Sequence, residues 1–378
     1  MNPDADFSAE EFAGRLARLR VAMRERAVDV MLIDDCEALA YFTGYETTVN
    51  LYRACIVPLN APPTMVLRAL DAEPFRARAW FDDCETFADH EEPVQKIAAT
   101  LQRQRYGSAA IGFDSASHAL TVDCLERLKR SLPEARFVSM LGVPRDLRLI
   151  KSPAEIAYLR TAAQILDRAM ADAIAATEIG VTSRELRTFA MRRLLELGAD
   201  PAHLGYVTVA RGWGFLHRQP GQRALERGDV LHFELVSSYR GYEARLMRCV
   251  AIGAADTERK RAAEQLIALQ DQQLAAMKPG ASARDVDAIL RNGVIAASLR
   301  RDYPNVTGYT LGYYSRVPLR SSDFTRCFSP NAHWQLEPGM VFHMYASAKG
   351  VSMSETVLVA EHGAERLTQL ERRLFLRK

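Results

Sequence analysis

An α/β fold in two domains is predicted for this chain. Three observations predict it. In the first part of the chain, short apolar strands alternate with amphipathic helices, the pattern of an α/β layer. From Pro153 onward the helices are longer and come in pairs, and β-like stretches follow. Finally, GVTSRELRTFA at Gly180 is echoed by GASARDVDAIL at Gly280: a glycine, a cap, an acid three residues later, then a helix. That echo implies two similar halves around one sheet, with a chance match between two capping boxes as the alternative. The domains expected are residues 1–145 and 150–378.

The elements follow in order. Phe7–Arg26 places Phe12, Leu16, Leu19 and Met23 on one helical face, and Ser8 with Glu11 forms its capping box. Val28–Ile33 is a short apolar strand, and Ala38–Gly44 leads into a second at Ala54–Pro58. Thr64–Leu67 and Ala109–Phe113 are further strands; Val94–Gln104 and Leu120–Ser131 are helices. Leu149–Pro153 is a linker. Pro153–Ala176 is a helix with proline in its first turn, and Thr182–Leu197 follows with Thr182 and Glu185 as its box. Irregular residues run to Arg227. Helices at Thr257–Met277 and Ser282–Ala297 precede β-like stretches at Gly308–Gly312, Met340–Ala346 and Ser354–Ala360.

Between these lies a β-hairpin, Gly228–Gly253. Val230–Val236 alternates, with Leu231, Phe233 and Leu235 on one face and His232 and Glu234 on the other. Ser237–Gly241 supplies the turn, and Arg245–Ile252 returns. Ionisable side chains inside so apolar a strand need partners or a function.

Composition narrows the function classes. The chain is 48% hydrophobic and 25% charged, with formal net charge +2 and no long basic run. Nothing electrostatic supports nucleic-acid or membrane binding, and no apolar run approaches the ~18 residues of a membrane span. The first residues are acidic and polar, unlike a signal peptide. Six cysteines without CxxC spacing are read as reduced thiols in a cytoplasmic protein.

KSPAEIAYLRTAA, LERGDVLHFEL, LEPGMVFHM and SETVLVAEHGAERLT, in that order, resemble the landmarks of the creatinase/aminopeptidase superfamily, whose fold is called pita-bread. The resemblance covers nearly the whole chain. It implies a creatinase-type N-terminal α/β domain, a pita-bread catalytic domain with pseudo-twofold halves, and a homodimer in which each N-terminal domain covers the partner's site. Metal-dependent members hold two metal ions with five ligands. By resemblance those positions fall on Glu234, Arg245, Tyr309, Tyr345 and Ser354, with Glu355 one residue beyond the last. A dinuclear centre needs several anionic or imidazole ligands. One or two carboxylates beside an arginine do not supply them, so no metal or other cofactor is expected; a site rebuilt with His232 or His343 by a shift of register is the alternative.

One functional histidine matches. His217 lies 11 residues before Gly228, as the catalytic histidine does in many members. His232 and His343 stand two residues from Glu234 and Tyr345, hence on the same faces, as site-lining or as core histidines. Arg320, with Arg316 as competitor, and Arg53 are candidate anchors for a substrate carboxylate, with surface salt bridges as the alternative. The pattern is closest to the metal-independent creatinase/ectoine-hydrolase-like branch. It implies hydrolysis of a C–N bond (amide, amidine or guanidino) in a small zwitterionic compound. His217 would serve as acid–base, Glu234 and Glu355 would hold a cationic group or pair with Arg245, and Tyr309 and Tyr345 would donate to developing charge. The alternatives are a metal-dependent Xaa-Pro aminopeptidase or dipeptidase, and a non-catalytic or repurposed (lyase or cyclase) protein on the same scaffold.

Overall fold

The computed structural model describes residues 6–46, 50–201, 205–210, 221–314 and 324–378. The chain divides after Arg148 into two compact units. The second runs from Leu149 to Gly312 and through the C-terminal strands to Lys378, while the stretch that begins at Tyr313 counts with the first.

The first unit is a mixed sheet with helices on both faces. Its strands are β1 (Val30–Ile33), β2 (Ala54–Pro58), β3 (Thr64–Arg68), β4 (Cys84–Phe87), β5 (Ala110–Phe113) and β6 (Arg136–Ser139), in spatial order β4-β3-β2-β1-β5-β6. The helices are α1 (Ala9–Glu25), α2 (Cys36–Thr43), α3 (Ala72–Arg78), α4 (Pro93–Arg103), α5 (Val122–Ser131) and α6 (Val143–Asp146). Alternation in β1 sends Met31 and Ile33 into one core with Leu16, Leu19 and Phe75. Val30 and Leu32 enter the other with Ile97, Leu101 and Leu128. A strand buried on both faces reads as continuously apolar, and VMLI does. At α1 only half of the expected capping box forms. Ser8 accepts from the Glu11 amide, while the Glu11 carboxylate turns to Arg15.

The second unit contains α7 (Pro153–Ala175), α8 (Ser183–Glu196), α9 (Thr257–Ala275) and α10 (Ala283–Ala296). Its strands are β7 (Gly205–Ala210), β8 (Val230–Tyr239), β9 (Tyr242–Ile252), β10 (Gly308–Thr310), β11 (Cys327–Phe328), β12 (Val341–Ala348), β13 (Val351–Ala360), β14 (Gly363–Arg366) and β15 (Phe375–Arg377). They form a five-stranded sheet, β11-β10-β12-β13-β14, and a four-stranded one, β15-β9-β8-β7. The sheets meet at β9 and β13, where Thr356 Oγ1 accepts from the Arg245 amide (2.8 Å) and donates to the Arg245 carbonyl (2.9 Å). Helix α7 packs on β8 and β9, and α9 on β12 and β13. The internal echo is structural. The amides of Gly180 and Gly280 donate to Leu225 and Leu336 at 3.0 and 2.8 Å, and isolated bridges pair Thr182 with Ala224 and Ser282 with Gln335. Both glycines are in the left-handed region, φ 91° and 80°, and each precedes a capped helix.

Two details of the hairpin differ from the sequence expectation. The strands run on to Tyr239 and resume at Tyr242, so the turn is only Arg240–Gly241, both at positive φ. Two-residue hairpin loops favour that geometry because it matches strand twist. Asp200 fixes it by accepting from the Gly241 amide and the Ser238 hydroxyl. Moreover, the residues before Arg227 are not wholly irregular, because β7 pairs antiparallel with β8 and sets Tyr206 opposite Glu234. Gly205 makes that approach possible. A Cβ there would lie 2.1 Å from the Glu234 carbonyl oxygen, at φ +92°. Gly205→Ala is therefore expected to strain β7 against β8 and lower stability by about 1–3 kcal/mol. Thermal unfolding followed by circular dichroism checks this, and an unchanged midpoint would contradict it.

All six cysteines are free thiols. Among the described residues, no helix is long and apolar enough to cross a membrane.

Candidate active site

Strand alternation assembles one polar face in the second unit. On β8, His232 and Glu234 share it; on β9, Arg245 and Met247; on β12, His343 and Tyr345; on β13, Ser352, Ser354 and Thr356. Tyr309 on β10 stands opposite His343. These side chains are buried except for Tyr345, which is half-buried.

A hydrogen-bonded chain runs across this face. Arg245 Nη1 donates to the Tyr309 hydroxyl at 2.6 Å, and that hydroxyl lies 2.9 Å from His343 Nδ1. The Arg245 guanidinium also lies 5.4 Å from the Tyr309 ring centroid and 3.5 Å from the Glu243 carboxylate. Burial, and then the Arg245 cation, hold the His343 imidazole well below the usual histidine range, so it is neutral. Its ring stacks on Tyr345 at 5.5 Å. Burial is also the main cause of a raised Tyr345 phenol, with Tyr303, Tyr309 and Glu234 adding to it. Tyr345 therefore keeps its proton and can donate.

Burial of cations and carboxylates in pairs continues behind this face. Arg248 Nη2 donates to Glu355 Oε1 at 2.9 Å, and Thr368 donates to the other carboxylate oxygen. The Arg248 guanidinium further donates to the carbonyls of Met247, Ser354, Leu370 and Glu371. It thereby ties β9 to β13 and to the C-terminal segment. Sequence reading missed Arg248 because only tertiary pairing, 107 positions apart, reveals its partner.

The expected site residues divide as follows. Glu234, Arg245, Tyr309, His343 and Tyr345 come together. His232 lies on the same face, with Nδ1 2.6 Å from the Ser352 hydroxyl. Glu355 does not join Glu234, and this corrects the sequence expectation. It stands opposite Met344 in the β12–β13 register, on the reverse face, and is committed to Arg248. Ser354 occupies the forward position instead. Tyr309 is also reassigned, because its hydroxyl already engages Arg245 and His343 and is not available to developing charge. Arg53 lies in the first unit, buried, where its guanidinium donates to Cys36 Sγ. His217, Arg316 and Arg320 lie outside the described residues.

Two sheets joined at β9 and β13 under duplicated helix pairs, preceded by an α/β domain, define a creatinase-type pita-bread protein. Residues 157–361 match the model of metallopeptidase family M24 and residues 15–150 that of the creatinase/prolidase N-terminal domain; the chain belongs to family M24, a family of hydrolases. It is 27% identical to an ectoine hydrolase of Halomonas elongata, across 98% of each chain. It is 26% identical to an Xaa-Pro dipeptidase of Pyrococcus horikoshii, over 75% of this chain and 80% of that one. Among solved structures, the prolidase from Thermococcus sibiricus superposes with a TM-score of 0.84 at 21% identity, covering 98% of this chain and all of that one. At that identity the likeness shows the fold.

The family's name raises the question of a metal, and the donor set does not fit one. Where a dinuclear centre needs several carboxylates and imidazoles, the five ligand positions offer Glu234, a guanidinium, two phenols and the Ser354 hydroxyl; beside them, Glu243 pairs with Arg245, and the Nδ1 atoms of His232 and His343 lie against the Ser352 and Tyr309 hydroxyls. Among the described residues, no group of three or more His, Cys, Asp or Glu side chains is placed to hold a metal ion.

Proposed function

We propose that this protein hydrolyses a C–N bond in a small zwitterionic amino-acid-like compound, through its own side chains rather than a dinuclear metal centre. The observation that carries the proposal is the buried Arg245 guanidinium, bonded to Tyr309 and beside His343, among residues that leave Glu234 as the carboxylate of the central strand. Full-length similarity to an ectoine hydrolase supports the same reading.

In this reading Glu234 holds the cationic, amidine-like end of the substrate. His217 takes a proton from water, whose oxygen bonds to the carbon, and that proton passes to the departing nitrogen. Tyr345, kept protonated by burial, donates to the oxygen that gains charge. The active form is proposed to be a homodimer in which the N-terminal domain of one subunit covers the site of the other.

A second reading, a metal-dependent Xaa-Pro dipeptidase, is favoured by the family and by the dipeptidase relative. Ectoine, creatine, N-acyl amino acids and Xaa-Pro dipeptides, offered to the purified protein with chelator present, separate the two. Turnover of a non-peptide zwitterion is expected. Turnover of dipeptides alone, and only with added metal, would overturn the proposal.

A further inference from the structure

On the site face, Nε2 of His343 and Oγ of Ser354 are buried polar atoms with no hydrogen-bond partner among the described residues. Both residues are 0% exposed. His343 stands opposite Thr356 and Ser354 opposite Tyr345, so the two are diagonal neighbours on one face of the β12–β13 pair. Native folds leave few such groups unsatisfied, and each one asks for an explanation.

The Tyr309–His343 contact fits either imidazole tautomer, and the Arg245 contact favours one. Arg245 can only donate, and it donates to the Tyr309 oxygen. We assign the single hydroxyl hydrogen of Tyr309 to His343 Nδ1, 2.9 Å from its oxygen. A neutral imidazole that accepts at Nδ1 carries its proton on Nε2. Successive hydrogen bonds polarise one another in a dry interior. The Arg245 charge is thus passed, through Tyr309, into a stronger Nε2–H donor. Glu243, at 3.5 Å, pairs with the other edge of the same guanidinium and holds it in place.

We infer that His343 Nε2–H and the Ser354 hydroxyl form a donor pair for an anionic oxygen of the substrate. Arg245 and Tyr309 are positioning residues, which fix the imidazole tautomer and polarise it. With Glu234 taking a cationic group on the adjoining sheet, the site acquires the two-ended polarity that a zwitterion matches. The inference rests on the proposed function for treating this face as the substrate site. Its test reads binding, so the two can fail separately.

The anionic oxygen is either a carboxylate present before reaction or the oxygen that gains charge during it. Full-length protein labelled with 15N-histidine and titrated with sodium acetate tests the shared chemistry, with His343→Gln assigning the signal. The expected result is an Nε2–H tautomer whose proton moves downfield to saturation. Ser354→Ala should weaken acetate binding about tenfold, and Tyr309→Phe should weaken it and mix the tautomers, which loss of packing alone would not do. If His343→Gln does not fold, the altered signal in Tyr309→Phe makes the assignment. With a substrate that turns over, a change in KM from Ser354→Ala assigns the donors to a carboxylate, and a change in kcat to developing charge. An Nδ1–H tautomer, no saturable acetate shift, or binding indifferent to both variants would overturn the inference. Acetate binding without turnover of any C–N compound would leave it standing and remove the functional reading.

Discussion

Glu234→Gln is expected to lower kcat/KM by about a hundredfold or more, the scale on which losing one partner of a buried charge pair or an acid–base group falls. Glutamine keeps the shape of the side chain, so the fold should survive and the thermal midpoint should change little. The effect is large because of where β8 puts this residue. Alternation buries Leu231, Phe233 and Leu235 on the far side and leaves Glu234 on the face that carries Arg245, close to Tyr345. A cationic group that enters this face meets a desolvated carboxylate, and a neutral amide at the same place cannot replace it. Steady-state kinetics on whichever zwitterion is hydrolysed checks this. Wild-type kcat/KM in the variant would remove Glu234 from the site.

The second large effect is on stability. Arg248→Met should destabilise the second unit by about 3–5 kcal/mol, the usual consequence of stranding one member of a buried ion pair. For a unit of this size that is a fall in Tm of roughly 10 °C. The stranded group is Glu355, whose pKa burial already raises even with Arg248 opposing. An acid whose folded pKa is raised binds more protons in the native state than in the unfolded one, so it makes stability fall as pH rises through that interval. Removing Arg248 widens the interval upward. The gap between variant and wild type should therefore be widest at neutral pH and narrow on acidification below the raised Glu355 pKa. Urea unfolding at several pH values measures it, and a gap that widens toward acid would contradict the assignment.

What the sequence revealed, and what it hid, follows from the range of the interactions. The hairpin face was legible because period-two alternation is local, and so was the helix at Pro153, where Ser152 and Glu155 close a reciprocal box. The short helix Cys36–Thr43 was not, because every residue in it is buried and no polar stripe marks its period. β7 was hidden by Gly205, which reads as a breaker until its contact with the Glu234 carbonyl is seen. Glu355 shows how one position matters in a strand. A shift of one residue moves a side chain to the other face, so a glutamate next to the expected position belongs to a different network. The Arg245–Tyr309–His343 chain joins residues from three strands, and no spacing in the sequence announces it.

These side chains are proposed to act in place of a dinuclear metal centre. Elemental analysis of the full-length protein, purified without chelator and assayed before and after dialysis against one, tests it directly. Far less than stoichiometric transition metal and undiminished turnover after dialysis are expected. About two metal ions per chain, as a dinuclear centre would hold, with activity lost on chelation and restored by metal, would contradict it.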